Sequence, residues 1–328
     1  MSTTAKHVWN KMPLLDAQRR WLQRIPHSGA LLALALLLAF NLAFTANFLS
    51  LQTLNVNLTQ VTTIVIVAVG LTLVIATGGI DLSVGSMMAI AGTLAPLIFT
   101  AMAGPGGLAL AFVLPIVVTW CCGYFNGWLI TRYSIQPIVA TLVLFIAGRG
   151  IAQVLTGGQL QTFSNPGFAW LGSGKVAGIP FQAWLMLLIV AVAAWLLHYT
   201  VFGRYVVAVG DSEQAARLAG IPAARVKRNV YALGGALAGL AGLIPVAVNS
   251  SSDANLNGLG MELNAIAAVA VGGTLLSGGR ASVVGTLIGA LIIQLLHYTL
   301  LVNGVPDAAA LAIEALVILV AVRAQGSR

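Results

Sequence analysis

The sequence has very few charged residues. Of its 328 residues only 7% are Asp, Glu, Lys or Arg, whereas 59% are hydrophobic, and the mean hydropathy is +0.96. Soluble globular domains carry about 25% charged residues. The shortage of charge therefore excludes an ordinary water-soluble protein and indicates a chain whose surface faces lipid.

Cysteine is also scarce, and the residue clusters of common active sites are missing. Cys121 and Cys122 are the only cysteines, adjacent within an apolar run, so neither a disulfide framework nor a Cys/His metal site is expected. The segment "GSGK" (172–175) lacks the Ser or Thr that follows the lysine in a phosphate-binding loop. We therefore expect a protein that is not an enzyme and holds no cofactor or metal. Any ATP and Mg²⁺ on which it depends would be bound by a separate polypeptide.

Long apolar runs are what the sequence has in abundance. A helix needs about 20 apolar residues to cross the hydrocarbon core of a bilayer. The alternating segments of about 10 residues that build a membrane β-barrel are not found. The sequence therefore predicts an all-α polytopic membrane protein with about ten transmembrane helices, near residues 29–48, 58–77, 82–102, 107–131, 137–157, 181–200, 229–249, 262–276, 282–302 and 308–323.

The basic residues orient these helices. With ten spans and both termini cytoplasmic, fourteen of the sixteen Lys and Arg residues lie on the inner side, Lys175 lies outside and Arg149 lies within a span. Such asymmetry follows the positive-inside rule, and it accounts for the net charge of +8 without a nucleic-acid partner. The chain then divides into a cytoplasmic segment, a single transmembrane domain with one long cytoplasmic loop (203–228), and a short tail, at residues 1–28, 29–323 and 324–328.

A glycine-rich segment, "ATGGIDLSVGS" (76–86), interrupts the apolar runs. Gly78 and Gly79 are expected to end one helix, because glycine adopts the left-handed conformation of a helix C-cap. Asp81 or Ser83 can then accept hydrogen bonds from the first amides of the next helix. A direct role in binding a solute or an ion is the alternative, since acidic residues at membrane depth are often functional.

A later segment, "AVAVGGTLLSGGRASVVGTLIGA" (268–290), repeats this arrangement. Gly272 and Gly273 follow an apolar helix as Gly78 and Gly79 do, and a short polar turn and a helix rich in small residues come next. The similarity favours an internal repeat, a feature of many transporters, although chance similarity among 36 glycines is the alternative.

The long cytoplasmic loop 203–228 contains a short amphipathic helix. Its first residues are natural helix caps and its end is marked by a glycine followed by Pro222, which cannot continue a helix. Such a helix can dock in a groove of a soluble partner; a solvated basic loop that only sets topology is the alternative. The residues assigned to this docking helix are Asp211, Ser212, Glu213, Gln214, Ala215, Ala216, Arg217 and Gly220.

Polar residues within the spans are the candidates for a translocation pathway. Arg149 is the most costly of them, because an arginine at mid-membrane depth requires a partner or an aqueous surface; pairing with Glu262 or Glu314 is the structural alternative. Buried amide side chains can equally form hydrogen bonds between helices and have no role in transport. The candidate pathway residues are Asn57, Gln60, Thr62, Arg149, Gln153, Asn249 and Asn264.

Three motifs, taken in order, resemble a known family. "VIATGGIDLSVGSMMAIAGT", "AVGDSEQAARLAGI" and "ELNAIAAVAVGGTLLSGGR" are similar to segments of the ribose/xylose/galactoside-type permeases of bacterial ABC transporters, and the resemblance extends from about residue 30 to 323. The segments "AGRGIAQVLTGGQLQTFSNP" and "SSDANLNGLGMELNAI" resemble permeases for galactofuranose.

The resemblance implies a function that composition and spacing do not. It implies two such permeases, identical or different, paired in the bacterial inner membrane beneath a periplasmic sugar-binding protein, with cytoplasmic ATPase subunits docked on the helix at 211–220 and driving import of a monosaccharide. The alternatives are another pentose or hexose, a branched-chain amino acid, or an ion-coupled secondary transporter that needs no ATPase.

Overall fold

The computed structural model of the protein describes residues 27–102 and 104–326. Helices dominate these residues, and the strands are four two-residue segments. The strands are β1 (Gln161–Thr162), β2 (Lys175–Val176), β3 (Ile179–Pro180) and β4 (Ser251–Ser252). The helices are α1 (Ser28–Phe44), α2 (Leu51–Ala76), α3 (Val84–Ala101), α4 (Pro105–Tyr133), α5 (Pro137–Thr156), α6 (Pro166–Ser173), α7 (Phe181–Tyr199), α8 (Val201–Asp211), α9 (Glu213–Leu218), α10 (Ala223–Asn249), α11 (Met261–Val271), α12 (Val283–Val302) and α13 (Asp307–Gly326).

An apolar helix lies in each of the ten predicted segments. Among the described residues, seven helices are long and apolar enough to cross a membrane, namely α2, α3, α4, α5, α7, α10 and α12, while α1 and α11 are shorter apolar helices. The helical membrane-protein class is therefore supported, whereas the count of ten and the cytoplasmic termini stay predictions. Residues 1–26 of the predicted cytoplasmic segment and residues 327–328 of the tail lie outside the described residues.

The structure shortens one predicted span, 262–276. Helix α11 has only 11 residues, which at 1.5 Å per residue gives a length of about 16 Å, roughly half of the hydrocarbon thickness. It stops because Gly273 adopts a left-handed conformation with φ +89°. The chain turns inside the predicted span instead of crossing with it.

Helix α10 is the centre of the fold, and glycines bring its neighbours close. It packs most extensively against α4 and also contacts α2, α3 and α6. A Cβ atom at Gly235 would overlap the carbonyl oxygen of Thr119 in α4, and one at Gly123 would overlap the carbonyl oxygen of Tyr231 in α10. Small residues at a helix crossing let the two backbones approach, which is how helices associate in a membrane.

Large apolar side chains cover the periphery. Leu36 in α1, Val143 in α5 and Leu188 in α7 are all exposed. An exposed apolar surface of this extent is expected of a protein whose outer helices contact lipid.

Short strand pairs tie the connecting segments together. Strand β1 pairs with β4 in antiparallel register, Gln161 opposite Ser252, which joins the α5–α6 connection to the α10–α11 connection. Strands β2 and β3 form a hairpin between α6 and α7. The ends of α5, α6 and α10 are thereby held at one end of the molecule.

Candidate functional site

A cavity of about 510 Å³ lies between α2, α10, α11, α12 and α13. Three of the seven predicted pathway residues line it, namely Gln60, Asn249 and Asn264. The other polar side chains of its wall are Thr59, Thr63, Gln294, His297, Tyr298 and Glu314, and the remaining lining is apolar.

Hydrogen bonds join the polar side chains of this cavity in pairs. Gln294 donates from Nε2 to Oε1 of Gln60 over 2.7 Å, which links α12 to α2. His297 Nδ1 lies 2.7 Å from Oε1 of Glu314, which links α12 to α13. The cavity wall is therefore a set of neutral amides and hydroxyls beside one histidine–carboxylate pair.

The cavity continues toward the connection that carries β2 and β3. A second cavity of about 270 Å³ shares Val56, Thr59, Gln60 and Val248 with the first. Its other lining residues belong to α2 and to the region from the end of α6 to the start of α7, and include Lys175, the one basic residue that the sequence places outside. The cleft as a whole runs from the middle of α2 toward its N-terminal end.

The structure places the other predicted pathway residues elsewhere. Asn57 donates to the Thr53 carbonyl over 3.0 Å, and Thr62 donates to the Leu58 carbonyl over 2.7 Å, each within α2. The Thr62 hydroxyl also lies 3.9 Å from the sulfur of Met186. Neither residue lines the two cavities described above, so a pathway role for them stays a prediction.

Arg149 and Gln153 hold the α10–α11 connection against α5. Arg149 Nη1 donates to the carbonyl oxygens of Ala254 (2.9 Å) and Asn257 (2.6 Å), and Gln153 Nε2 donates to Oδ1 of Asn255 (2.8 Å). Backbone carbonyls therefore supply the partners of this intramembrane arginine. Its role in translocation stays a prediction.

The two candidate acidic partners of Arg149 lie in different surroundings. Glu314 is bonded to His297, as described above, and the buried Glu262 carboxylate packs against Gly85 at the start of α3. No ion pair between Arg149 and either carboxylate is formed in the described residues.

The segment between α2 and α3 is a buried turn with a polar network. Asp81 is fully buried, and its Oδ1 accepts hydrogen bonds from the Ser83 amide (2.9 Å) and the Ser83 hydroxyl (2.5 Å). Asn126 of α4 donates to the Ser83 hydroxyl oxygen over 2.9 Å. The Ser83 side chain thus binds Asp81 and Asn126 and does not cap α3. This turn joins three elements, α2, α3 and α4.

Helices α2 and α11 end in the same motif. Gly79 N–H donates to the Val74 carbonyl (3.3 Å) and Thr274 N–H donates to the Val269 carbonyl (3.2 Å), each five residues back. The residue before each donor, Gly78 or Gly273, has positive φ. Both ends are Schellman caps. Gly273 is thus the structural equivalent of Gly78, whereas the sequence pattern had aligned Gly272 with Gly78.

Helix α9 stands beside a groove on the same side of the molecule as both Schellman caps. Ser212 caps it by accepting from the Ala215 amide (3.2 Å), and Gly220 follows its end with φ +80°. The groove has a volume of about 490 Å³ and is lined by the α4–α5 connection, by Glu213, Gln214 and Arg217 of α9, and by Lys227 of α10.

Ion pairs fix α9 in this position. Glu213 contacts Arg217, one turn later in α9, and Lys227 in α10, both at 2.5 Å. Burial raises the pKa of Glu213, but the hydrogen bonds and positive charges of Lys227 and Arg217 outweigh it, so its pKa lies below the ordinary value of 4.5. Glu213 is therefore ionised at neutral pH and tied to the central helix α10.

Comparison with known proteins decides the family. A family model described as the permease component of branched-chain amino acid transport systems matches residues 54–322. The chain belongs to this family of ABC-transporter permeases.

Curated relatives in the permease family carry names of sugar importers. The chain is 40% identical over 298 residues to the ribose import permease protein RbsC of Escherichia coli K12, covering 89% of this chain and 91% of that protein. It is 40% identical over 268 residues to the galactofuranose transporter permease protein YtfT of the same organism, covering 81% and 77%. It is 36% identical to the fructose import permease protein FruF of Bifidobacterium longum, covering 77% and 72%. No solved structure matches the chain.

These identities place the permease among sugar importers without singling out one sugar. The ribose and galactofuranose permeases are equally similar to the chain, and the ribose permease aligns over more of it. Galactofuranose therefore stays a proposal.

Sequence reasoning did not assign Gln294, His297 or Glu314 to the permease site. Each is a polar residue in an apolar span, and that signal was available. Which of these residues share a cavity depends on how α12 and α13 are rotated against α2, and the sequence pattern does not fix this rotation.

Proposed function

We propose that the protein is the membrane-spanning subunit of an ATP-driven importer of a neutral monosaccharide in the bacterial inner membrane. The cavity between α2, α10, α11, α12 and α13 is the observation that carries this proposal. Side-chain amides and hydroxyls hydrogen-bond to sugar hydroxyls as donor and as acceptor without any need for charge. Membership of the ABC permease family and the names of the sugar-importing relatives support the same conclusion.

The charge of the cavity favours a sugar over an amino acid. A free amino acid carries both an ammonium and a carboxylate group, and each needs a counter-charge when it leaves water. In the described lining of the 510 Å³ cavity the ionisable groups are His297, Tyr298 and Glu314, with His297 and Glu314 hydrogen-bonded to each other, and the adjoining 270 Å³ cavity adds Lys175. A neutral polyol fits this wall better than a zwitterion.

ATP hydrolysis would be coupled to transport at α9. We assign the coupling contact to Asp211–Arg217 and Gly220, with ATP and Mg²⁺ bound by a cytoplasmic ATPase and none by this chain. The Leu218 side chain at the end of α9 is 85% exposed, which offers an apolar contact to such a partner. The ion pair between Glu213 and Lys227 fixes α9, and with it this contact surface, to α10.

The complete transporter would contain further subunits. We propose a second permease, different or identical, beside this chain, and a periplasmic sugar-binding protein above the pair, with membrane lipid around the exposed apolar helices. Galactofuranose is the proposed sugar, with ribose or another pentose or hexose as the alternative, since relatives with these names are equally similar.

A pull-down followed by reconstitution tests the proposal. The tagged chain is purified from its native membrane in mild detergent, its partners are identified by mass spectrometry, and the complex is placed in proteoliposomes with the sugar-binding protein. We expect a stoichiometric ATPase and ATP-dependent uptake of a monosaccharide. Separate uptake assays with galactofuranose, ribose and a branched-chain amino acid then decide the substrate. A chain that purifies without any ATPase contradicts the proposal.

The His297–Glu314 pair favours a second candidate function, an ion-coupled carrier. A histidine 2.7 Å from a buried carboxylate at a cavity wall is a pair of ionisable side chains of the kind that ion-coupled carriers place within the membrane. Uptake driven by a proton gradient in liposomes that contain this chain without an ATPase would establish this candidate, and uptake that requires ATP would exclude it.

A further inference from the structure

The Schellman cap of α2 is in direct contact with the connection from α11 to α12, which lies far from it in sequence. The Gly279 amide donates a hydrogen bond to the carbonyl oxygen of Ala76, the last residue of α2, over 3.1 Å. A Cβ atom at Gly278 would lie 2.8 Å from the Gly78 nitrogen. The end of α2 and the connection from α11 to α12 are therefore packed backbone against backbone.

A third segment, the end of α8, fits into the same contact. A Cβ atom at Gly210 would overlap the Ala76 carbonyl oxygen and lie 2.6 Å from the Gly279 nitrogen. The Gly210 carbonyl oxygen in turn lies 2.9 Å from the Cβ position of Gly278. We call this junction of residues 76–78, 210–211 and 277–279 the glycine clasp.

The clasp joins α9 directly to the helices that line the cavity. Ser212 N–H donates to the Ala208 carbonyl of α8 (3.2 Å), and the Ser212 side chain caps α9, so α8 and α9 are connected through a single residue. On the other side of the clasp, α2, α11 and α12 carry the cavity residues Gln60, Asn264 and Gln294. Gln60 and Ala76 are 16 residues apart on α2, a rigid helical distance of about 24 Å.

We infer that the glycine clasp transmits movement of α9 to α2, α11 and α12, and that Gly210 is the positioning residue that keeps the three segments in register. The inference rests on the proposed function, because it requires an ATPase that displaces α9. Closely packed interfaces shift between discrete arrangements and do not deform continuously. A displacement of α8 therefore has to move the end of α2 and the connection between α11 and α12, and with them the helices around the cavity.

Glycine is required at position 210 for contact and not for backbone conformation. Gly210 lies near the end of α8, its φ is not in the left-handed region, and alanine is the better helix former there. A loss of function on Gly210→Ala therefore reports the lost contact. Gly150 in α5 is a matched control, because its Cβ position has no neighbouring atom within 4 Å.

The test compares two activities of the reconstituted complex. ATP hydrolysis and sugar uptake are measured for the unmodified complex, for Gly210→Ala and for the control Gly150→Ala. We expect Gly210→Ala to keep its ATPase subunits and ATP hydrolysis while uptake per ATP falls about tenfold, the size of a typical coupling between sites. Gly150→Ala should keep the unmodified ratio. An unmodified ratio in Gly210→Ala overturns the inference.

A second measurement decides the matter if Gly210→Ala does not assemble. Hydrogen exchange of the unmodified complex is followed by mass spectrometry with and without ATP and vanadate. We expect changed protection in the peptides that contain residues 76–83 and 272–282; unchanged protection in both peptides overturns the inference.

An unmodified complex that lacks ATP-driven uptake refutes the proposed function, and the inference is refuted with it. An active complex with an unmodified ratio in Gly210→Ala refutes the inference alone.

Discussion

Asp81 shows how a single buried carboxylate can organise a break in a membrane helix. Its Oδ1 atom accepts two hydrogen bonds from Ser83, and Ser83 in turn accepts one from Asn126. Nearby, the Thr141 hydroxyl accepts from the amide of Leu82. Without these partners the amides between α2 and α3 would be buried in an apolar environment with unmet hydrogen bonds, which is costly inside a membrane protein.

The first prediction concerns Asp81→Ala. The substitution leaves the buried Ser83 amide and hydroxyl without their acceptor, and each such group costs about 1–3 kcal/mol. We expect a lower apparent Tm of the purified protein in detergent and poorer assembly, with the sugar preference of the remaining transporter unchanged. Asp81→Asn is the control, because its carbonyl oxygen retains the acceptor. A stable Asp81→Ala protein with altered sugar preference would show that Asp81 contacts substrate.

A second prediction concerns Arg149→Lys. Lysine keeps the positive charge, but its ammonium group lacks the planar guanidinium, whose Nη1 donates to the Ala254 and Asn257 carbonyls while Nη2 donates to the Gly85 carbonyl. Hydrogen bonds to a charged donor contribute about 1.5–3 kcal/mol each. We expect faster hydrogen exchange in the peptide that contains residues 253–257, together with a lower apparent Tm.

Gln153→Ala provides the comparison for this experiment. It removes an exposed hydrogen bond to the same connection, at Asn255, and should have a much smaller effect. Equal protection of residues 253–257 in Arg149→Lys and in the unmodified protein would mean that the arginine does not anchor this connection.

Among the elements, α9 depends most on charge. The pKa of Glu213 is below its ordinary value of 4.5 because Lys227 and Arg217 favour the ionised form more strongly than burial disfavours it. A carboxyl group whose pKa is depressed by folding stabilises the fold above its unfolded pKa, and this contribution is lost as the pH falls through the folded pKa. The anchoring of α9 should therefore be constant near neutral pH and weaken below 4.5.

A spin label tests this third prediction. The label is attached to Gln214→Cys in a background in which Cys121 and Cys122 are replaced by alanine, and its mobility is measured by electron paramagnetic resonance as the pH is lowered from neutral to below 4.5. We expect mobility to rise only in the acidic range. With Glu213→Gln added, mobility should already be high at neutral pH and independent of pH. The same acid response in both proteins would assign the change to another group.

At the scale of the elements, apolar helices could be predicted and their ends only in part. Each predicted span contains a helix because a backbone surrounded by lipid must satisfy its hydrogen bonds internally. The predicted span 262–276 overran the end of α11 at Val271 because hydropathy continues through Leu275 and Leu276, although the Gly272–Gly273 pair had indicated a helix break there. Ser212 was one of the two residues predicted to cap α9, and it does so, whereas α8, which ends at Asp211, was not predicted as a separate helix.

Contacts between distant residues could not be predicted. Gln60 and Gln294 are 234 residues apart, and each was only one polar residue in an apolar run until the packing of α2 against α12 brought them together. Gly210 carries no local signal at all, because its significance lies in the backbone of Ala76 and Gly279 across the clasp. Small and neutral residues act through tertiary contact, and single-sequence patterns do not contain this information.

For the molecule as a whole, the groove, the glycine clasp and the cavity follow one another along the packed helices. The groove beside α9 comes first, the glycine clasp at the end of α8 comes next, and the cavity lies further along α2, α11 and α12. Helix α10 connects the groove to the cavity, since it carries Lys227 at the groove and Asn249 at the cavity. The proposed coupling of an ATPase at α9 to a solute in the cavity requires this arrangement.

The last prediction tests whether the solute passes through this cavity. Gln294→Leu preserves approximate size but removes an amide from the cavity wall and the partner of Gln60. Hydrogen bonds of this kind contribute about 0.5–1.5 kcal/mol, so we expect sugar uptake by the reconstituted complex to fall severalfold. Gln159→Ala, an exposed substitution outside the cavity, should leave uptake unchanged. Sugar binding to the isolated binding protein should be the same in both assays, since that protein is unaltered. Uptake at the unmodified rate by Gln294→Leu, with ATP hydrolysis intact, would place the passage on another face of the permease.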